Sequence, residues 1–182
     1  MSNLNFIETK ANELLNSLPS LSFPIELTEA VLSLHAIDLH EEYLEDEVSG
    51  MLVIKENTKH IIINALHSKK RQRFTIAHEL GHLFLHHNDG EDKLFIDKKT
   101  YHRASKNMSG TSYIEEREAN LFAAYLLMPE QLLRNYISTQ FGSNSTGFDE
   151  YDVSNIAEKC TVSDQAMMIR LKNLGYRVID SY

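Results

Sequence analysis

A single change in hydrophobic period most constrains the fold of this 182-residue chain. Between residues 36 and 65, apolar residues first alternate with polar ones and then form two β-branched runs, at 51–54 and 61–63. A turn-like stretch separates the two runs, which predicts about three strands in a small, mainly antiparallel sheet. From Ser68 onward the apolar spacing is helical. We therefore predict an α+β fold in which the three-stranded sheet packs on a helical bundle.

Helical spacing continues over most of the remaining chain. Apolar residues recur every three or four positions at 4–18, 25–34, 69–87, 113–127, 129–140, 153–159 and 163–174, which predicts a helix in each segment. Residues 88–112 are polar and irregular. A loop of that length is uncommon unless it forms a lid or a substrate channel, so this segment is a candidate functional loop.

The length of the chain favours one main domain with a small appendage. A typical domain has about 150 residues, which leaves little chain for a second one. The Ser/Asn/Thr/Gly-rich run at 142–147 has the composition of a linker. We predict a main domain at 1–142 and a C-terminal helical appendage at 148–182, packed on the same domain.

Composition argues against several classes of protein. A net charge of −8 gives no overall attraction for nucleic acid. The longest apolar stretch, 121–128, is far shorter than the ~20 residues of a membrane span, and the first ten residues do not resemble a signal peptide. The single cysteine, Cys160, allows no intrachain disulfide and is predicted to be a buried apolar residue. These features predict a cytoplasmic protein without direct nucleic-acid or membrane contact.

The sequence His78-Glu79-Leu80-Gly81-His82 carries the clearest chemistry in the chain. Two histidines four residues apart in a helix lie about 40° apart on one face, so both rings can reach one small cation. Neutral imidazole is a good ligand for Zn²⁺, and Glu79 can act on a water molecule without binding the metal. Gly81 costs a helix about 1 kcal/mol relative to Ala, which indicates a close approach by another backbone or a substrate. The motif is typical of zinc hydrolases.

A catalytic zinc site needs a third protein ligand and an open position. His86 and His87 lie nearby, but their position at a helix C-terminus favours a role as cations that complement the helix dipole. The other source is a carboxylate from the helix predicted at 113–127.

Three glutamates compete for that role: Glu115, Glu116 and Glu118. Glu118 lies one turn before the apolar stripe and Glu115 lies near the same side, whereas Glu116 lies nearer the polar face. A metal would offset the cost of burying such a carboxylate. Ala119 and Ala123 are small enough to let this helix approach the histidine helix closely. Spacing alone favours Glu118 and leaves Glu115 as an alternative.

Two motifs together resemble those of the ImmA/IrrE family of metallopeptidases. One is the His-Glu-Leu-Gly-His segment, and the other is Glu-Arg-Glu-Ala-Asn-Leu-Phe-Ala-Ala-Tyr-Leu-Leu-Met-Pro at 116–129. The resemblance covers about residues 25–140 and makes 1–142 a metallopeptidase domain with an N-terminal helix. It implies that His78, His82 and Glu118 bind the metal and that Glu79 is catalytic. The expected cofactor is Zn²⁺, although Mn²⁺ or another divalent cation suits the same ligands.

The family pattern also has an aromatic residue and an arginine between its two motifs. Tyr101 and Arg103 match them in this chain. Both, with His102 between them, are candidates to stabilise the oxyanion of a tetrahedral intermediate, and Tyr101 and Arg103 are the ones predicted as catalytic residues beside Glu79. The competing interpretation is an ordinary polar loop.

The resemblance also implies a class of partner. Members of the family are often linked to helix-turn-helix repressors of mobile elements or stress regulons, which they cleave or inactivate. We therefore expect a metal-dependent endopeptidase acting on such a repressor or antitoxin; a non-cleaving metal-binding protein that sequesters the regulator is the alternative. The two C-terminal helices have helix-turn-helix spacing, but residues 153–182 hold four Lys/Arg against three acids, which favours helical packing or protein contact over DNA.

Overall fold

The computed structural model describes residues 3–27, 36–56, 58–86, 93–98 and 111–179, and it confirms the α+β class. The helices are α1 (Asn3–Asn16), α2 (Lys69–His86), α3 (Thr111–Leu127), α4 (Glu130–Phe141), α5 (Glu150–Cys160) and α6 (Asp164–Asn173). The strands are β1 (Ile37–Glu42), β2 (Val48–Lys55), β3 (Thr58–Asn64), β4 (Lys93–Lys98), β5 (Gly147–Phe148) and β6 (Arg177–Val178).

The main sheet is mixed and has the strand order β1-β3-β2-β4. β1 runs parallel to β3, whereas β2 is antiparallel to both β3 and β4. The three predicted strands are confirmed, but the sheet has a fourth strand, β4, inside the segment predicted to be a loop. That strand has only three consecutive apolar residues, and it is defined by pairing with β2, which local composition does not reveal.

Helix α2 occupies the centre of the fold. It packs against β2 and β3 on one side and against α3 on the other. Ala77 and Leu80 are fully buried at these contacts. Ser68 begins the helix as predicted, since its hydroxyl oxygen accepts a hydrogen bond from the Arg71 backbone N–H at 3.4 Å. The central position explains why the His-Glu-Leu-Gly-His segment is almost entirely removed from solvent.

The C-terminal helices pack on the same hydrophobic core as the sheet and α2. Helix α5 begins with a capping box formed by Asp149 and Asp152, and Ser163 caps α6. The Arg170 Nε donates a hydrogen bond to the Met128 carbonyl oxygen at 2.9 Å, which ties α6 to the end of α3. Both predicted C-terminal helices are confirmed, with α5 starting three residues before its predicted start at 153.

Two further expectations concern the helix predicted at 25–34 and the single thiol. The helix predicted at 25–34 falls mostly on residues outside the described part, and residues 25–27 are not helical. Cys160 is 0% exposed, which confirms the prediction of a buried residue. Within the described ranges, the longest helices are too short or too polar to cross a membrane.

Candidate metal centre

His78 and His82 face each other one turn apart on α2, as their spacing predicts. Their Nε2 atoms lie 3.1 Å apart, and the side chains are 0% and 2% exposed. The two rings are nearly perpendicular, with centroids 4.7 Å apart. Two imidazole nitrogens therefore point at one buried position, which is the arrangement that a shared cation requires.

Glu116 of α3 supplies a carboxylate to the same position. Its Oε1 lies 3.2 Å from the Nε2 of His82, and its Oε2 lies 3.4 Å from the Nε2 of His78. One ligand atom from each of the three residues lies within 4.8 Å of the other two. Among the residues that the structure describes, this is the one group of three or more His, Cys, Asp or Glu side chains with such a geometry.

Glu118, the carboxylate favoured by helical spacing, lies elsewhere on α3. Its Oε2 is 3.6 Å from the Nε2 of His86. Residues 116 and 118 are separated by about 200° around a helix, so only one of them can face a given point on α2. Leu121 and Phe122 indicated the buried side, and Phe122 does pack beside Gly81 of α2, but the face in contact there continues through Ala119 to Glu116, one turn earlier. The geometry therefore favours Glu116 over Glu118 as the third ligand.

Burial and hydrogen bonding set the charges of this cluster. Burial alone would raise the pKa of Glu116, but hydrogen bonds from His78 and His82, and then their charges, hold that pKa well below its usual range. Burial lowers the pKa of His82, although its hydrogen bond to Glu116 opposes the shift. The Glu116 shift favours the ionised carboxylate and the His82 shift favours the neutral imidazole, and these are the forms that bind a divalent cation.

Asn120 orients the first histidine. Its Oδ1 lies 3.2 Å from the Nδ1 of His78 and accepts a hydrogen bond in the tautomer that carries the proton on Nδ1. In the neutral ring, that tautomer places the lone pair on Nε2, where a cation could bind it; only the protonated ring donates from Nε2 to Glu116 as well. Sequence reasoning assigned no role to Asn120. The sequence signal that could have indicated this role is the position of Asn120 four residues after Glu116, which places both side chains on one face of α3.

Gly81 allows the two ligand-bearing helices to meet. A Cβ atom added to Gly81 would lie 2.9 Å from the Ala119 Cα and 3.0 Å from the Ala119 carbonyl oxygen. The first distance is shorter than real Cβ contacts and the second is tighter than most of them, so a side chain at this position would force the helices apart. The predicted close approach at Gly81 is thus confirmed, and it is a contact between backbones.

Glu79 follows His78 on α2 and is fully buried, on the side of the helix that faces β2. A Cβ added to Gly50 of β2 would lie 3.6 Å from the Glu79 Oε1, and it would collide with the Thr75 Cγ2. The absence of a side chain at Gly50 therefore lets β2 run close to α2 beside Glu79. A fully buried carboxylate is uncommon, and its position in the sequence, directly after His78, marks it as a candidate catalytic group.

Comparison with known proteins identifies the family. Residues 32–172 match the IrrE N-terminal-like domain. The chain belongs to this family. The resemblance to the ImmA/IrrE metallopeptidases, inferred from the two motifs, is thereby confirmed.

Two relatives of the IrrE-like domain illustrate its range. The chain is 31% identical over 98 residues to an uncharacterized immunity region protein 2 of Bacillus phage phi105, covering 54% of this chain and 56% of that protein. It is 30% identical over 111 residues to the radiation response metalloprotease IrrE of Deinococcus radiodurans, covering 61% of this chain and 30% of that protein.

The fold of the IrrE-like domain also occurs in a solved structure. A Mycobacterium tuberculosis transcriptional regulator superposes with a TM-score of 0.62 at 14% identity, over 91% of this chain and 46% of that one. The similarity concerns the fold alone. This chain spans 56% of the phage protein, 46% of the regulator and 30% of the Deinococcus protein.

Tyr101 and Arg103, the two loop residues that match the family pattern, lie outside the described residues. Their placement relative to His78 and Glu116 is therefore untested, and they remain predictions.

Proposed function

We propose that this chain is a metal-dependent endopeptidase whose divalent cation is held by His78, His82 and Glu116. The observation that supports the proposal most directly is the convergence of these three side chains, with contacts of 3.1 to 3.4 Å, on one buried position. Two imidazoles and one carboxylate form a donor set typical of catalytic zinc, and Zn²⁺ is the expected cofactor. Mn²⁺ or another divalent cation would suit the same donors.

The residues around the cation have separable roles in the proposed reaction. A bound cation would supply Lewis-acid polarisation of the scissile carbonyl. Glu79 takes a proton from the attacking water and passes it to the leaving amine. Asn120 holds the His78 ring in the orientation that directs Nε2 inward. Tyr101 and Arg103 are proposed to stabilise the developing oxyanion.

We further propose a substrate class and a location. The phage relative is described as an immunity region protein, and the Deinococcus relative as a radiation response metalloprotease. Both descriptions support a protein substrate that controls gene expression, and a helix-turn-helix repressor or antitoxin encoded near this chain is the proposed one. Such a regulator acts in the cytoplasm, where the chain is expected to meet it.

The test uses purified chain, Zn²⁺ and the regulator encoded beside it. Wild-type protein is expected to convert the regulator into two fragments, identified by mass spectrometry. Glu79→Gln is expected to retain one equivalent of metal and to leave the regulator intact, because only the proton-transfer group is lost. Full cleavage by Glu79→Gln would contradict the assigned role. A stable complex with wild-type protein and no fragments would instead indicate sequestration without cleavage.

A further inference from the structure

A groove of about 800 Å³ runs between α2, α3 and α6 beside the candidate metal centre. Glu116 of the cluster lines the groove, as does Asn120, which contacts His78, so the groove reaches the edge of the cluster. Phe74 lines the groove one turn before His78, and the two rings stack with centroids 6.4 Å apart. A ligand bound in the groove would therefore approach the proposed cation from the side of α6.

Apolar side chains line much of this groove and remain open to solvent. Ile169 of α6 is 54% exposed and Tyr113 of α3 is 39% exposed. Leu121 and Ala124 of α3 also line the groove and are half-buried. Exposed apolar surface in a concave site of this volume is typical of a binding surface.

The charges around the groove oppose the charge of the whole chain. Among the described residues, four cationic side chains line it, Lys70, Arg71, Arg117 and Arg170, against one acidic lining residue, Glu116, which belongs to the cluster. Lys70 pairs with Glu158 at 2.8 Å and Arg71 donates to the Ser49 Oγ, so the proposal depends on Arg117 and Arg170. The chain as a whole carries −8. A net positive lining in an acidic protein favours an anionic partner at that site.

Two of these cations differ in how they are held. Arg170 is 4% exposed, its guanidinium lies 4.8 Å from the Tyr125 ring centroid, and its Nε donates to the Met128 carbonyl oxygen. Arg170 therefore contributes a fixed charge. Arg117 is exposed on α3, next in sequence to Glu116, and can reach a bound ligand directly.

We propose that the groove binds the segment of the substrate polypeptide next to the scissile bond, and that it selects segments combining apolar and acidic side chains. The inference rests on the proposed function, since the groove opens onto the cluster that would carry out hydrolysis. The apolar lining favours a polypeptide over a nucleic acid, whose phosphates would need a continuous basic surface. Arg117 is the proposed specificity residue.

The first test measures binding without cleavage. The full chain carrying Glu79→Gln is titrated into each of two fluorescent ten-residue peptides. Both peptides have the same leucines; one has glutamates at the remaining polar positions, and the other has glutamines at those positions. The acidic peptide is expected to bind about tenfold more tightly. Arg117→Glu should reduce that preference about fivefold or more, because reversing one exposed charge removes an attraction and adds a repulsion.

Arg177→Glu is the matched control. Arg177 is also exposed, but it lies on β6 and does not line the groove, so this variant changes the net charge by the same amount and should preserve the preference. Three results would overturn the proposal. The two peptides could bind equally, or the two arginine variants could have equal effects. The chain could also bind a ten-nucleotide single strand more tightly than the acidic peptide.

The second test separates the groove from the proposed function. Zn²⁺-loaded wild-type chain is incubated with a library of proteome-derived peptides, and the cleaved ends are read by mass spectrometry. The groove proposal predicts that acidic and apolar residues are enriched on one side of the cleaved bond. The acidic enrichment should be lost in Arg117→Glu. Cleavage without that enrichment would overturn the proposed role of the groove and would not affect the peptidase proposal. No cleavage, with selective binding retained, would overturn the peptidase proposal alone.

Discussion

Gly81 and Ala119 lie in backbone contact where α2 crosses α3. The Cβ of any side chain at Gly81 would also lie 3.2 Å from the Phe122 Cβ, so three neighbouring groups close the space around this position. Since His82 follows Gly81 and Glu116 precedes Ala119 by one turn, this contact sets the distance between the two helices that carry the candidate ligands.

Gly81→Ala is expected to destabilise the fold even though Ala is the better helix former. Overpacking costs about 1–3 kcal/mol, against about 1 kcal/mol gained from helix propensity. Urea denaturation should therefore show a lower midpoint, and metal affinity should fall because the ligands move apart. Asn155→Ala, on the exposed face of α5, controls for propensity and should not lower the midpoint. Unchanged stability and metal affinity in Gly81→Ala would contradict this account.

Glu116→Gln and Glu118→Gln should separate the two candidate third ligands. Glu116→Gln is expected to lose at least ~100-fold in Zn²⁺ affinity, because it removes a ligand and not merely a group that orients one. Glu118→Gln leaves the cluster intact and should bind Zn²⁺ within about threefold of wild type. Isothermal titration calorimetry of both proteins measures the difference. The reverse pattern would restore Glu118 as the ligand.

Asn120→Ala should weaken metal binding without unfolding the protein. Loss of the hydrogen bond that fixes His78 is expected to reduce affinity about 10–100-fold, as is usual for groups that orient a ligating histidine. Asn120→Asp keeps an acceptor oxygen at the same position and should restore most of the affinity. If Asn120→Ala and wild type bound Zn²⁺ equally, the contact would have no role in the site.

Cys160 should be inert to thiol reagents in the folded protein. Burial raises the pKa of its thiol to about 12 from the ordinary value of 9.0. Ellman's reagent at pH 8 is therefore expected to react slowly with native protein and at once in guanidinium chloride. Rapid reaction of the native protein would contradict the burial of this thiol.

The same shift predicts a dependence of stability on alkaline pH. The unfolded thiol ionises near pH 9, whereas the folded thiol stays protonated up to about 12. The unfolded state therefore binds fewer protons between these values, and the free energy of unfolding should fall as the pH rises through that window. Comparison with Cys160→Ala isolates the effect from other titrating groups, since the variant should lose this part of the slope.

Much of the fold follows from local sequence signals. The β-branched runs that became β2 and β3, and the 3.6-residue spacing in α2 and α3, are properties of short segments that tertiary contacts reinforce. Strand β4 and the parallel pairing of β1 with β3 could not be predicted, because both depend on partners distant in sequence. The same distinction applies to the site.

His78 and His82 came together as spacing predicted because both lie on one helix. The third carboxylate comes from a second helix, and its identity depends on how α3 is rotated against α2. Apolar residues reveal which side of α3 is buried, but not which part of that side meets α2. The contact between Gly81 and Ala119 decides that rotation, and it brings Glu116 to the cluster.

The central claim is that His78, His82 and Glu116 together hold one divalent cation. Anomalous diffraction at the zinc absorption edge, from crystals of the full chain grown with one equivalent of Zn²⁺, tests it most directly. We expect one strong peak within about 2.0–2.2 Å of the Nε2 atoms of both histidines and of a Glu116 carboxylate oxygen. A peak bound by Glu118, or no peak between the two imidazoles, would contradict the claim.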